Sequence, residues 1–169
     1  PLWVERNLES CRTIKNYYMG IDDKGYPRFK CSSFGGLETG DPVLSGGDTG
    51  YCARAMKHFL WAAWQGNTDA RDWLVQWAEG WRIPSVREIE GKLAGFVPLT
   101  LWYPTGGIMP PVEGKSWHDE ALNYWPRPDM IHDVFLAAYW LTRDPKFLEP
   151  FQMAMQHATQ GPLPKGNFE

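Results

Sequence analysis

Apolar residues recur at helical spacing along most of this chain. Val4, Leu8, Cys11, Ile14 and Tyr18 form one stripe and predict an amphipathic helix over Leu2 to Tyr18. Asp22-Asp23-Lys24-Gly25 predicts a turn, and Tyr26 to Phe34 reads as a short strand or hairpin arm. From Gly35 to Gly50 the residues are mostly Gly, Asp, Ser, Thr and Pro, a loop long enough to carry function. Helices dominate afterwards. Asp48 or Thr49 caps one that runs to about Trp64 and is ended by Gly66-Asn67. Thr68 caps the next, through about Trp81. Ser85-Val86-Arg87-Glu88 has the form of a capping box and predicts a third helix, stopped by Pro98. A loop containing Pro104, Gly106, Gly107, Pro110 and Pro111 follows, then a short helix over Ser116 to Tyr124. Pro128 in a first turn starts a strongly apolar helix to about Leu141, and Asp144-Pro145 starts another through about Ala158.

The spacing implies an architecture. Apolar helices are predicted to begin near residues 49, 86 and 129, roughly 40 residues apart, the period of stacked helix pairs. The helix from Met130 to Leu141 is apolar nearly all round, which predicts burial on most sides. The helix from Asp69 to Trp81 is one-sided and suits an outer layer. An internal echo supports the pairing. Phe59-Leu60-Trp61-Ala62-Ala63-Trp64 before Asn67-Thr68 resembles Phe135-Leu136-Ala137-Ala138-Tyr139-Trp140 before Asp144-Pro145.

The run Ala137-Ala138-Tyr139-Trp140-Leu141-Thr142-Arg143-Asp144-Pro145-Lys146-Phe147-Leu148 resembles a helical hairpin of the (α/α) toroid carbohydrate-active enzymes. These are the toroid polysaccharide lyases and the six-hairpin glycosidases. The resemblance covers roughly residues 49–160 as about three hairpins. It implies a mainly α fold of stacked hairpins, an incomplete toroid, with a short β-hairpin or loop insertion near residues 20–47. Residues 1–169 then form a single helical domain or a fragment of a larger toroid domain. A start at Pro1 without Met, and a loop-like end at Lys165-Gly166-Asn167-Phe168-Glu169, fit an excised piece of something longer. The remainder of such a chain is one expected partner. The resemblance also implies an extracellular or periplasmic setting.

Composition narrows the function classes. Of 169 residues, 43% are hydrophobic and 22% charged, with a formal net charge of −3. That balance argues against a nucleic-acid partner, which calls for a basic stripe. No apolar run approaches membrane-spanning length, so no membrane partner is expected. Cys11, Cys31 and Cys52 include no C-x-x-C pair, so structural zinc is not expected and no cofactor is implied. Cys11 and Cys52 fall on apolar helix positions, and one disulfide stays open. Neither a G-x-S-x-G elbow, a Walker loop nor a dinucleotide motif occurs. The chain carries 10 Trp, 7 Tyr and 8 Phe. Trp61, Trp64, Trp73, Trp77, Trp81 and Trp140 follow helical registers, and most of them are expected in hairpin packing. Trp102, Trp117 and Trp125 lie in or beside loops, where rings suit the flat faces of sugars.

Helix parity then locates chemistry. With inner helices starting at 49, 86 and 129, and outer helices running back, all three starts lie at one end. That end collects Asp48, Tyr51, Arg54, the 82–88 turn, Asn123 through His132, and loop 35–47. His132 sits in a first turn, where the helix dipole disfavours the imidazolium and suits a proton acceptor. The toroid resemblance implies Tyr and His as proton-transfer groups, with Asn or Arg against a substrate carboxylate. The catalytic candidates are accordingly His132, Tyr124 and Tyr51. Asn123, Arg127, Asp48 and Arg54 are substrate-binding candidates, with Trp125, Trp102 and Tyr103 stacking on sugar rings. The preferred reading is a lyase cleaving a uronic-acid-containing polysaccharide by β-elimination. A six-hairpin glycoside hydrolase would instead need two carboxylates about 5–10 Å apart, from Asp48, Asp119, Glu120, Asp41 or Glu38. His118-Asp119-Glu120 reads as the polar start of a short helix or a partial metal site, and no metal is assigned. His58 and His157 are read as structural. A non-enzymatic helical-repeat binding module, its aromatics mostly core, is the third reading.

Overall fold

The computed structural model describes residues 2–31, 47–89, 92–98, 100–108 and 128–160. It is mainly helical. Helix α1 (Leu2–Thr13) widens into a π-helical turn, Ile14–Tyr18, and passes directly into strand β1 (Met19–Ile21). The predicted stripe faces inward: Cys11 is buried, and Leu8, Ile14 and Tyr18 pack partly covered against the core. Strand β2 (Pro27–Phe29) returns antiparallel, with Gly20 opposite Arg28. The connecting turn is held by Asp22, whose Oδ1 accepts from the Lys24 and Tyr26 N–H groups at 2.9 Å each.

Strand β3 (Asp48–Thr49) pairs antiparallel with β4 (Thr100–Leu101). A 3₁₀ turn over Gly50–Cys52 leads into α2 (Ala53–Trp64). The helix thus begins later than the expected cap at Asp48 or Thr49, and neither side chain caps it. Gly66, in the left-handed region at φ 88°, reverses the chain into α3 (Thr68–Ser85). The cap of α3 is Asn67 rather than Thr68; its side chain accepts from Ala70 N at 2.8 Å.

Helix α3 runs on past Trp81 and contains Pro84. Pro84 has no N–H to give to the carbonyl of Gly80, four residues back. That carbonyl instead accepts from Arg28 Nη2 at 2.7 Å. The freed acceptor therefore becomes a tertiary contact, and the helix continues to Ser85.

The third helix predicted from Ser85 to Pro98 is not formed. Ser85 ends α3, with its hydroxyl donating back to Trp81 O at 2.7 Å, so it does not open a new helix. The described residues beyond it are turns stitched by Lys92, which is buried. Lys92 Nζ donates to the carbonyls of Arg87, Leu93 and Phe96 at 2.8–2.9 Å, and more weakly to Ser85 O at 3.4 Å. These acceptors are satisfied by an ammonium rather than by helix, and Gly95 at φ 91° turns the chain. The roughly 40-residue period loses its middle member with this helix. Replacing Lys92 with Met should lower stability by about 1–3 kcal/mol through stranded carbonyls. A lower urea midpoint at unchanged slope is the expected readout.

Helix α4 (Pro128–Thr142) starts at the expected proline, and α5 (Glu149–Gln160) follows a 3₁₀ turn over Pro145–Leu148. The internal echo is physical in the first helices and their turns, although α2 packs along α3 whereas α4, within its own hairpin, packs chiefly on the 3₁₀ turn Pro145–Leu148 that precedes α5. Phe59 and Phe135 are buried, as are Ala62 and Ala138, each pair separated by the same sequence distance. Trp64 and Trp140 keep that spacing, touch with ring centroids 5.7 Å apart, and are both exposed. Lys57, Leu60 and Trp61 likewise share a groove with Asp133, Leu136 and Ala137, and the 3₁₀ turn ahead of α2 also contacts α4, so α2 and α4 run parallel. The turns match too. Arg143 takes φ 60° where the first hairpin uses Gly66, and Asp144 caps through Lys146 N as Asn67 caps through Ala70 N.

Four of the hairpin indoles split into two pairs. Trp77 and Trp81 are wholly buried, as expected of hairpin packing. Trp64 and Trp140 are 57% and 51% exposed, which corrects the expectation for those two. The described core joins Met56, Phe59, Leu74, Trp77, Ile131, Phe135 and Phe147 with Phe29 and Leu101 from the small sheets. Cys11, Cys31 and Cys52 are buried thiols, none of them in a disulfide.

Candidate functional site

Asp48, in β3, is fully buried. Its Oδ2 accepts from the indole N–H groups of Trp77 and Trp81, at 2.9 and 3.2 Å. Those residues sit one turn apart on α3, so both reach one oxygen. Arg28 Nη1 stands 3.8 Å from the same oxygen, while Arg28 Nε donates to Asp22 Oδ2 at 2.9 Å. Both carboxylates and the guanidinium are buried. Burial pushes the Asp48 carboxyl up to about 7, opposed by the Arg28 charge and the indole donors. Burial, with the nearby Asp48 charge, also pushes the Cys52 thiol up. A thiol so placed is inert as a nucleophile.

This cluster joins the start of α2, the end of α3 and the β1–β2 hairpin. It answers for the fold rather than for substrate contact. Asp48, predicted to bind substrate, has no exposed surface and is engaged by the core.

The other predicted residues divide between two places. Tyr51 and Arg54 are exposed at the start of α2, with the guanidinium carbon 5.3 Å from the ring centroid. His132, half-buried in the early turns of α4, faces α5. Its ring lies 4.7 Å from Phe151 and 6.3 Å from Phe135. Because α2 and α4 are parallel neighbours, these starts share one end of the helical layer. Trp102 directly follows β4, its backbone beside Gly47, and Tyr103 reaches the β1–β2 hairpin. The Tyr103 ring covers Gly20, where an added Cβ would come within 2.7 Å of it, and Asp23 N donates to Pro104 O at 2.8 Å. Tyr103-Pro104 is a cis peptide. Asn123, Tyr124, Trp125 and Arg127 lie outside the described residues, as do Glu38, Asp41, the His118-Asp119-Glu120 group and the predicted helix over Ser116 to Tyr124.

His58 and His157 take packing roles. His58 Nδ1 pairs with Asn7 Oδ1 at 2.8 Å, and His157 Nε2 with Ala94 O at 2.9 Å. Among the described residues no three His, Cys, Asp or Glu side chains converge as a metal ion would need. No helix among them is long and apolar enough to cross a membrane.

Two concave features were not legible in the sequence. An apolar groove of about 590 Å³ runs between α2 and α4 past Leu60, Trp64, Leu136 and Trp140. A second cavity, about 360 Å³, is lined by Lys24, Tyr26, Arg28, Gly80, Arg87 and Gly106 among others. Arg28 carried no sequence signal beyond lying in a short strand. Its role comes from Pro84 and Asp48, distant in sequence. Comparison with protein-family models, curated proteins and solved structures returns no match.

Proposed function

We propose that this chain is a hairpin-built part of an (α/α) toroid carbohydrate-active enzyme that cleaves a uronic-acid polysaccharide by β-elimination. The supporting observation is the repetition of hairpins α2/α3 and α4/α5, with parallel first helices whose starts share an end. Tyr51, Arg54 and His132 sit on those starts. In this reading a base, His132 or Tyr124, removes the proton at C5 of the uronate. The electron pair forms the C4–C5 double bond and expels the glycosidic oxygen, which takes a proton from an acid such as Tyr51 or Tyr124. Asn123, Arg127 and Arg54 oppose the carboxylate charge, which makes C5 more acidic. Trp125, Trp102 and Tyr103 offer ring faces to the sugar. Asp48 drops out of substrate contact on account of its burial, which also weakens the glycoside-hydrolase alternative. Secretion to the extracellular or periplasmic space belongs to the same reading.

The experiment is incubation with alginate, ulvan and glycosaminoglycans, following the near-ultraviolet absorbance of the new conjugated bond. Tyr51→Phe and His132→Ala should each lower its rate by about 10²–10⁴-fold while the fold survives. Unchanged rates in both variants would remove these residues from the mechanism. The groove at Trp64 and Trp140 favours a second reading, a helical-repeat binding module. Binding of a partner without turnover of any uronate polymer would support it.

A further inference from the structure

The cavity beside the β1–β2 hairpin combines positive charge with a fixed frame. Its walls are the turn and strand carrying Lys24, Tyr26 and Arg28, the last turns of α3, and the 106–108 segment. Trp77 and Trp81 both reach Asp48, just ahead of α2, so the late part of α3 lies beside the start of α2. The cavity therefore opens at the end of the molecule that carries Tyr51 and Arg54.

The charge balance is one-sided. Arg28 is matched by Asp22 and Asp48. Lys24 donates to the Gly106 carbonyl at 2.7 Å, a neutral acceptor, and has no ion pair among the described residues. Arg87 is exposed and likewise has none there. Among the described residues no carboxylate lines the cavity. Ile83 and Ile108 supply apolar wall, suited to the C–H face of a sugar ring. Glycines let the walls close tightly on Arg28 and Asp22. A Cβ at Gly80 would fall 2.7 Å from Arg28 Nη2, and one at Gly106 would collide with Asp22. The frame is thus held by buried contacts while two cations face the opening.

We infer that this cavity is a subsite for one uronate residue, with Lys24 and Arg87 binding its carboxylate and the apolar wall its ring. The inference rests on the uronate reading above and adds a subsite that the sequence did not single out.

Calorimetric titration with a glucuronate disaccharide tests it, with the matching neutral disaccharide and inorganic sulfate as controls. Lys24→Gln with Arg87→Gln should weaken glucuronate binding by about tenfold or more. Arg87→Gln alone, at an exposed position, should weaken it in part. Near-ultraviolet circular dichroism, reporting the buried Trp77 and Trp81, should be unchanged. Equal affinity in the double variant overturns the subsite, as does equal binding of the neutral sugar. Sulfate binding as tightly as glucuronate overturns the carboxylate assignment. The two proposals separate cleanly. Elimination at unchanged KM in the double variant sinks the subsite alone. Glucuronate binding lost in the variant, with no double bond formed by the native protein, sinks the lyase alone.

Discussion

Replacing Asp48 with Ala is expected to destabilise the protein by about 3–5 kcal/mol, the usual cost of removing one partner of a buried charged cluster. Two buried indole N–H groups lose their shared acceptor, and Arg28 loses one of its two carboxylates. Asp48→Asn behaves differently, because its amide oxygen still accepts from both indoles. The comparison also carries a pH signature. The Asp48 carboxyl titrates near 7 in the fold against an ordinary value of 3.8. Between those values the folded protein holds a proton that the unfolded chain has released, so the Asp48 contribution is complete below the ordinary value and is lost as pH rises through about 7. Thermal midpoints of the native protein relative to Asp48→Asn should fall from pH 5 to pH 8. A flat difference would mean that Asp48 stays ionised throughout.

Phe59→Ala and Phe135→Ala should each cost about 3–5 kcal/mol, because both rings are buried at equivalent places in the two hairpins. Matched losses are the specific expectation, within about 1 kcal/mol of each other. Trp64→Ala and Trp140→Ala, though larger in side-chain volume, should cost about 1 kcal/mol each, since both are mostly exposed and chiefly touch one another. Chemical denaturation of the four variants checks the pattern. A Phe59 loss far above that of Phe135 would contradict equivalent packing.

These expectations mark where sequence and structure part. The hairpins were legible because they are local: apolar spacing, a reversing residue and an Asn or Asp cap lie within a few positions. The echo between Phe59–Trp64 and Phe135–Trp140 even carried the burial pattern. The segment after Ser85 misled, because its capping box competes with a proline four residues after Gly80 and with a buried Lys92. That competition is tertiary. The same holds for Asp48. A carboxylate ahead of a helix reads as a cap, and only the arrival of Trp77, Trp81 and Arg28 draws it into the core. Of the proposed site, Tyr51, Arg54 and His132 were placed at one end by helix parity. One leg of that argument is gone, and the parallel course of α2 and α4 now supports the same grouping. Lys24 and Arg87 were invisible, since single cations in turns carry no pattern.

Elimination from a uronate polymer differs from hydrolysis in the mass of its products. The native protein in its longest form, incubated with alginate, ulvan or a glycosaminoglycan, should release oligosaccharides whose masses sum to that of the polymer, each new non-reducing end unsaturated. Products heavier by one water for every cut, or no products from any uronate polymer, would contradict it.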